Sequence, residues 1–520
     1  MSKQKEFGDF QTPNHLAAQV AALVAELFGS PDIVVEPTVG LGAFLRASHG
    51  KWGNACSYEG YEINPDYVRS TSRRFSSLGI RLWQQDFFSA DWHQILRKKN
   101  LPRVLVLGNP PWVTNSEQGI LGSTNLPKKA NFQRLRGFDA KTGKSNFDIA
   151  EWMLIRLIEA LPESGAIAML CKTMTARKVL RHFWKTEGGF EASKLFRIDA
   201  KTNFGVAVDA CLFVATGKRT EDRIATIYSR LNLDSKVAEF GWVDGNLVSD
   251  IGTYTKFREL DGGSPYAWRS GIKHDASNVM EFTRRNGHLV NGLGEAVELE
   301  EEYLYPLLKS SDLGNRRAIP RKVVLVTQRH TGDDTSSIRD MAPKTWRYLD
   351  EHSEKLDSRK SSIYQNRPRF SIFGIGEYSF APWKVAISGL YKSFTFVVVP
   401  PANGRPVMVD DTCYSIPCKS EKEARLLYDL LNSKPAQCFL GSIVFEDSKR
   451  PITVDVLRRF SLVNVAKLVG RLDELTECML SEYDSLDGRR QQLSLVIEEA
   501  RKYQTRRRRP VVAPEIWKDR

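Results

Sequence analysis

Short apolar segments alternate with helical patterns in the N-terminal part of the chain, and this alternation constrains the fold more than any other feature. Four apolar runs have the character of buried strands: residues 32–36, 58–63, 103–107 and 166–171. Helical patterns lie between them at residues 66–78 and 147–161. Because buried apolar strands separated by helices are typical of a parallel sheet covered on both faces, we predict an α/β, Rossmann-like doubly wound fold.

Two later apolar runs, residues 194–199 and 209–216, predict an antiparallel edge on this sheet. Only nine residues separate them, which is too short a connection for a crossover helix between parallel strands. A further helix is predicted ahead of the first strand. We expect Thr12 to cap it, Pro13 to lie in its first turn and Gly29 to end it.

The C-terminal part of the chain has a different pattern. The alternation fades after about residue 220, and the strand-like runs 384–387 and 394–399 are followed by a long helical pattern at about residues 454–503. Four consecutive arginines follow at 506–509. We therefore predict two domains, residues 1–220 and a mixed α+β domain over residues 221–520.

The charge of the chain favours a polyanionic partner. The formal net charge is +13 over 520 residues, and lysine and arginine release condensed counterions from phosphates. No apolar run approaches the roughly 18 residues of a membrane span, and the N-terminal sequence lacks the apolar region of a secretory signal, so we expect a cytoplasmic protein. The seven cysteines form no CxxC pair, and no metal site is predicted.

A glycine-containing turn follows the first predicted strand. Glu36 is followed by Thr38, Gly40 and Gly42, and two glycines at the carboxyl edge of a sheet let the backbone approach a ligand closely. The third glycine of a dinucleotide fingerprint is absent. However, Glu62 lies 20 residues beyond Gly42 at the end of the second strand, where an acid can accept hydrogen bonds from ribose hydroxyls. Together these residues predict a cofactor that contains adenosine.

The sequence Asn109-Pro110-Pro111-Trp112 directly follows the third strand. The Asn109 side-chain carbonyl and the Pro110 backbone carbonyl can both accept hydrogens from an exocyclic base amine, whose lone pair is otherwise delocalised into the ring. Prolines fix the backbone so that the carbonyl is aimed in advance. Trp112 offers a flat face for stacking a base removed from a duplex. The motif therefore predicts methylation of an amine.

These segments resemble the γ-group of amino-methyltransferases, the N6-adenine DNA methyltransferases of restriction–modification systems. The resemblance covers roughly residues 7–216, with cofactor motifs first, the catalytic motif next and the target-recognition region last. It implies a methyltransferase sheet, S-adenosyl-L-methionine as the cofactor and a flipped-out adenine in double-stranded DNA as the substrate. It also implies a target-recognition domain over residues 221–520 and a bacterial or archaeal source. A separately encoded restriction endonuclease is a candidate partner.

The resemblance assigns roles residue by residue. The residues that correspond to cofactor-binding positions are Phe7, Thr12, Pro13, Glu36, Thr38, Gly40, Gly42, Glu62, Asp86, Phe87 and Asn109. The catalytic motif corresponds to Asn109, Pro110, Pro111 and Trp112, with Trp where Tyr or Phe is commoner. Trp112 and Phe204 correspond to the aromatic residues that stack on the target base.

Several alternatives stay open at the level of sequence. The same amine chemistry serves cytosine N4, RNA bases and protein amide nitrogens, and a catalytically inactive DNA-binding relative would keep the fold. The basic residues of segment 113–146 are hypothesised to form a loop that closes over DNA. Segment 367–378, which mixes basic, aromatic and glycine residues, is a second candidate for DNA contact.

Overall fold

The structure is a computed structural model that describes residues 10–97, 103–112, 148–448 and 450–480. The chain divides into two compact units, Met1–Ile251 and Gly252–Arg520. The first unit extends past the predicted boundary at residue 220, because three strands beyond that residue belong to its sheet. Phe7 and segment 113–146 lie outside the described residues, as do the four arginines at 506–509.

The strands of the first unit, in chain order, are β1 (Ile33–Glu36), β2 (Ser57–Glu62), β3 (Arg81–Gln84), β4 (Val104–Gly108), β5 (Ala166–Lys172), β6 (Gly189–Phe190), β7 (Ser193–Ile198), β8 (Ala210–Thr216), β9 (Arg219–Thr220), β10 (Ile224–Tyr228), β11 (Lys236–Val243) and β12 (Asn246–Val248). Its helices are α1 (Asn14–Phe28), α2 (Ala43–Trp52), α3 (Pro65–Arg74), α4 (Trp92–Leu96), α5 (Ile149–Ala160), α6 (Thr173–Thr186) and α7 (Ala200–Phe204).

Ten of these strands form one sheet in the order β12-β11-β10-β7-β8-β5-β4-β1-β2-β3. β1 pairs in parallel with both β2 and β4, so the chain order reverses between β1 and β4. β8 pairs antiparallel with β5 and β7. This confirms the predicted doubly wound sheet with an antiparallel edge. Since ligands of such sheets bind beyond the carboxyl ends of the strands at the reversal, the residues after β1, β2 and β4 mark the site.

The start of α1 differs from the prediction. Pro13 occupies the position before the helix and no side chain caps it, so the prediction that Thr12 caps α1 is wrong. The Thr12 hydroxyl instead accepts a hydrogen bond from Asn109, 97 positions along the chain. Gly29, at φ 70°, ends the helix as predicted.

The second unit is a mixed α+β structure. Its strands are β13 (Arg269–Ser270), β14 (Glu281–Arg285), β15 (His288–Asn291), β16 (Ala296–Val297), β17 (Leu304–Leu308), β18 (Lys322–Leu325), β19 (Trp383–Ser388), β20 (Phe396–Val399), β21 (Met408–Val409) and β22 (Cys413–Cys418). They form a six-stranded sheet, β16-β15-β14-β18-β17-β21, and a four-stranded sheet, β13-β22-β19-β20. Strands were predicted at residues 384–387 and 394–399, where β19 and β20 lie.

The helices from the unit boundary onwards are α8 (Ile251–Lys256), α9 (Ser277–Met280), α10 (Ser310–Gly314), α11 (Ile338–Met341), α12 (Pro343–Glu351), α13 (Ser353–Asp357), α14 (Glu421–Asn432), α15 (Lys434–Ile443), α16 (Val454–Leu457), α17 (Leu462–Leu468) and α18 (Leu472–Leu480). The predicted single helix at 454–503 is wrong as far as residue 480, because three short helices occupy that stretch. Ser461 caps the second of them, and Gly470, at φ 72°, separates the second from the third.

Two kinds of feature are absent from the described residues. No helix among them is long and apolar enough to cross a membrane. The described residues also contain no group of three or more His, Cys, Asp or Glu side chains that could hold a metal ion.

Candidate active site

A cavity of about 520 Å³ opens at the carboxyl ends of β1, β2 and β4. Its volume lies within the usual range for small-molecule sites. Nine of the residues singled out in the sequence line it: Thr12, Glu36, Thr38, Gly40, Glu62, Asp86, Phe87, Asn109 and Pro111. The sheet therefore brings most of the predicted site residues to one place.

The turn after β1 needs both of its glycines. Gly40 and Gly42 have φ values of 52° and 73°, a region that favours glycine. A Cβ atom on Gly42 would lie 2.6 Å from the Phe75 ring, and one on Gly40 would lie 2.8 Å from the Gln11 side-chain oxygen. Gln11 also accepts the Leu41 backbone N–H at 2.9 Å. The glycines thus allow close packing on both sides of the turn.

Glu62 is held rigidly at the end of β2. Its two carboxylate oxygens accept the backbone N–H groups of Gly40 at 2.9 Å and Asn64 at 2.8 Å. A carboxylate has further lone pairs available for acceptance. Because Glu62 also lines the cavity, it can accept hydrogen bonds from a ligand while it fixes the glycine turn.

Glu36 is a buried acid at the base of the cavity. Its carboxyl group accepts the Leu45 backbone N–H at 3.1 Å, which ties the end of β1 to α2. Burial raises the pKa of Glu36 well above its usual range; the Leu45 hydrogen bond opposes this and the negative charge of Glu62 adds to it. The protonation of Glu36 will therefore respond to any charge that enters the cavity.

Asp86 and Phe87 form the wall that follows β3. The Asp86 carboxylate accepts the Phe88 backbone N–H at 3.0 Å, which turns the chain tightly. The buried Phe87 ring packs against Trp92 at 4.7 Å between centroids. Phe87 is therefore a core residue as well as a cavity residue.

Asn109 is oriented by its neighbours. Its amide nitrogen donates to the Phe10 carbonyl at 3.0 Å and to the Thr12 hydroxyl at 3.3 Å, while its backbone carbonyl accepts from the Thr38 hydroxyl at 3.2 Å. Its amide oxygen is buried and has no hydrogen-bond partner among the described residues. Since buried polar atoms are nearly always paired, this oxygen is a candidate acceptor for a substrate.

Three aromatic side chains cluster beside Asn109. The Trp112 ring lies 5.1 Å from Phe204 and 6.0 Å from Phe10, between centroids. Phe10 also lines the cavity, whereas Trp112 and Phe204 do not. Pro110, Pro13 and Gly42 also lie outside the cavity lining.

Sequence reasoning missed Lys172, the last residue of β5. Its ammonium group donates to the Trp112 carbonyl at 3.0 Å and pairs with the Asp148 carboxylate at 3.1 Å. Asp148 in turn accepts the Ala150 backbone N–H at the start of α5. The available signal was a lysine directly after the apolar run 166–171, because the carboxyl end of that run meets Asn109 at the same sheet edge.

Further cavity residues were also missed as individual contacts: Gln11, Asn64, Tyr67, Gln85, Phe88, Ile149 and Met153. They come from the segment before α1, the segments that follow β2 and β3, and the first turns of α3 and α5. The cavity combines an acid, a glycine turn and an aromatic wall. This combination suits an adenosine-containing cation such as S-adenosylmethionine.

No protein-family model matches the chain, but it is similar to known proteins in sequence and in structure. The type II methyltransferase M.NspV of Nostoc sp. (strain ATCC 29411 / PCC 7524) is 43% identical over 471 residues, which cover 89% of this chain and 98% of that protein. The structure of the type IIL restriction-modification enzyme MmeI in complex with DNA matches 94% of this chain and 76% of its own, with a TM-score of 0.52 and 15% identity. The type I restriction-modification methyltransferase subunit of Streptococcus thermophilus matches 42% of this chain and 47% of its own, at a TM-score of 0.31 and 15% identity.

Proposed function

The chain belongs to the type II methyltransferases of restriction–modification systems, and from this premise we propose that it methylates the N6 amine of adenine in a specific sequence of double-stranded DNA. Its cofactor is S-adenosyl-L-methionine. When bound, this cofactor supplies an electrophilic methyl group on a sulfonium centre. The chain's own residues must bind the cofactor, hold the amine and exclude water.

The observation that carries the proposal is the buried amide oxygen of Asn109, which has no hydrogen-bond partner in the part of the chain that the structure describes. The amide nitrogen donates to the Phe10 carbonyl, which can only accept, so exchanging the oxygen and the nitrogen would lose this hydrogen bond and set two acceptors against each other. An oxygen fixed in this way accepts a hydrogen from an incoming amine. A carbonyl substrate offers no such hydrogen, so the site favours an amine.

A second acceptor and a stacking surface complete the arrangement. The Pro110 carbonyl is fixed by two consecutive prolines and can accept the other amine hydrogen. Two hydrogen bonds pull the amine nitrogen out of the plane of its ring and free its lone pair for attack. Phe10 and Phe204 are half-buried and offer ring surface against which a planar base can pack, whereas Trp112 is buried in contact with both.

Two properties of the chain support DNA as the substrate. Its net charge of +13 favours a phosphate-rich partner. M.NspV is named as a type II methyltransferase and is similar over almost the whole chain, including the second unit. The second unit is accordingly proposed as the target-recognition domain.

The test is methyl transfer from radiolabelled S-adenosylmethionine to duplex DNA, followed by nucleoside analysis. Label in N6-methyladenine is expected. Label in N4-methylcytosine would keep the amine mechanism and correct the base. Absence of label in DNA, with cofactor binding intact, would contradict the proposal and favour RNA, a protein amide or an inactive enzyme.

A further inference from the structure

Two loops of the second unit are fastened together by side-chain hydrogen bonds. They are residues 327–335, which follow β18, and residues 366–377, which precede β19, and we call them the paired loops. The cross-links join Thr327 to the Phe370 carbonyl at 2.9 Å, the Ile372 N–H to Gln328 at 2.9 Å, Thr331 to the Ile375 carbonyl at 3.3 Å and Thr335 to the Arg369 carbonyl. Four cross-links over so few residues make the pair a rigid platform.

The tip of the first loop is fixed internally as well. The Asp333 carboxylate accepts the backbone N–H groups of Arg329 at 3.2 Å and His330 at 2.7 Å. The Gln328 amide nitrogen donates to the Asp333 carbonyl at 2.6 Å. The backbone that carries Arg329 and His330 is therefore held in one conformation.

The second loop contains a strained residue. Phe370 has a φ of 65° and is fully buried, although bulky residues rarely adopt the left-handed region. Ile372 and Ile375 are buried in the same core. Part of segment 367–378, singled out in the sequence for DNA contact, thus belongs to the core. Strained backbone of this kind clusters at sites that bind ligands or substrates.

Charged side chains project from this platform into solvent. Arg329, His330 and Glu377 are 59%, 56% and 65% exposed, and both basic groups lie within 3.4 Å of the Glu377 carboxylate. The Arg329 guanidinium also stacks on the Phe380 ring at 4.3 Å. Exposed ion pairs contribute little to stability, so these groups can exchange partners at low cost.

A second arginine lies close to the same tip. The Arg367 guanidinium is 3.5 Å from the position that a Cβ atom on Gly332 would occupy, and it lies 5.6 Å from the Phe373 ring centre. No ion pair of Arg367 is found among the described residues. Nearby Arg359 and Arg369 differ, because their guanidinium groups bind backbone carbonyls or the acids Asp350 and Asp357.

We propose that the paired loops read base edges of duplex DNA through Arg329 and Arg367. This inference rests on the proposed function, because it assumes that DNA is the substrate. Arginine presents a rigid fork of donors that matches the O6 and N7 acceptors of guanine, and Glu377 can accept from the cytosine amine. A rigid platform with ring-stacked guanidinium groups loses little conformational freedom on binding.

The test compares sequence selection by full-length Arg329→Gln, Arg367→Gln and Arg284→Gln. Arg284 is a matched control, since it is an exposed arginine of the same unit that pairs with Glu301. Each protein, with S-adenosylhomocysteine present, selects duplexes from a randomised library, and the bound duplexes are sequenced. Binding needs no catalysis, and equal thermal unfolding midpoints establish that the variants fold.

The two loop variants are expected to lose discrimination at one base pair each, by about ten-fold or more, while the Arg284 variant keeps the wild-type preference. Unchanged preferences in both loop variants would overturn the inference. A uniform loss of affinity with the preference intact would also overturn it and assign the arginines to phosphates. Failure of the proposed function is distinguishable, because the wild-type protein itself would then select no sequence or leave adenine unlabelled.

Discussion

Burial and the positive charge of the cofactor have opposite effects on the pKa of the Glu36 carboxyl group. Burial raises its pKa, so it stays protonated in the free protein at pH values where an exposed glutamate is ionised. A cationic ligand in the cavity favours the ionised form, so binding releases a proton. Affinity for S-adenosylmethionine should therefore rise with pH between the pKa in the complex and the higher pKa in the free protein.

Isothermal titration calorimetry at a series of pH values above the usual range of a glutamate pKa tests this linkage. Glu36→Gln is the control, because the amide keeps the acceptor for the Leu45 N–H but cannot ionise. The affinity of the variant should be flat with pH. If affinity changed equally with pH in the wild type and in the variant, a group other than Glu36 would be responsible.

Lys172 is expected to position the catalytic motif. In Lys172→Met the Trp112 carbonyl loses its donor and Asp148 loses its cation, so the motif is held less firmly. We expect the single-turnover rate of methyl transfer to fall about ten-fold or more, since small misplacements of reacting groups are costly. Cofactor affinity should change little, because Lys172 does not line the cavity.

The conservative Lys172→Arg variant can still donate to both oxygens and should recover part of the rate. Equal defects in both variants, or a matching loss of cofactor affinity, would contradict a positioning role for Lys172.

At the scale of elements, the turn between β1 and α2 depends on the space left by Gly42. In Gly42→Ala the new methyl group meets the Phe75 ring at 2.6 Å on a backbone with φ 73°. Gly53→Ala is a matched control, because Gly53 has a φ of 54° but open space around its Cβ position. The difference between the two variants isolates the clash from the backbone strain.

We expect Gly42→Ala to unfold at a lower temperature than Gly53→Ala, with a difference in unfolding free energy of about 1–3 kcal/mol. It should also bind the cofactor more weakly, since the turn lines the cavity at Gly40. Matching melting curves for the two variants would mean that Phe75 moves aside without cost.

The sequence predicted the elements whose pattern is local. β1, β2, β4 and β5 lie within about one residue of their predicted positions. For β1, β4 and β5 the reason is that a continuous apolar run indicates burial on both faces of a sheet. The prediction of one long C-terminal helix failed because the apolar periodicity continues across two residues that interrupt the helix. Ser461 caps a new helix, and Gly470 adopts a left-handed conformation.

The long-range contacts of the site could not be predicted in the same way. Thr12 fitted the pattern of a helix cap, yet its hydroxyl serves Asn109. Lys172 contacts Trp112 across 60 positions of sequence, which no local pattern encodes. The sequence motifs predict which residues belong to the site, whereas the folded sheet determines which of their side chains are in contact.

At the scale of the whole molecule, the net charge of +13 makes a prediction about DNA binding. The logarithm of the association constant should fall linearly with the logarithm of salt concentration, with a slope of about −0.9 for each phosphate neutralised. Fluorescence anisotropy with a labelled duplex measures this slope. A flat response would mean that the basic charge is unrelated to DNA.

The role of the Asn109 amide oxygen is tested most directly by measuring methyl transfer in the Asn109→Ala variant. The variant loses the buried amide oxygen together with the hydrogen bonds of the amide nitrogen to Phe10 and Thr12. It leaves in place the hydrogen bonds by which Glu62 holds the glycine turn. We predict that the single-turnover rate falls by about two to three orders of magnitude, as for removal of other preorganised transition-state contacts, while affinity for S-adenosylmethionine changes only a few-fold. A near-normal rate with normal cofactor affinity would contradict the role assigned to Asn109.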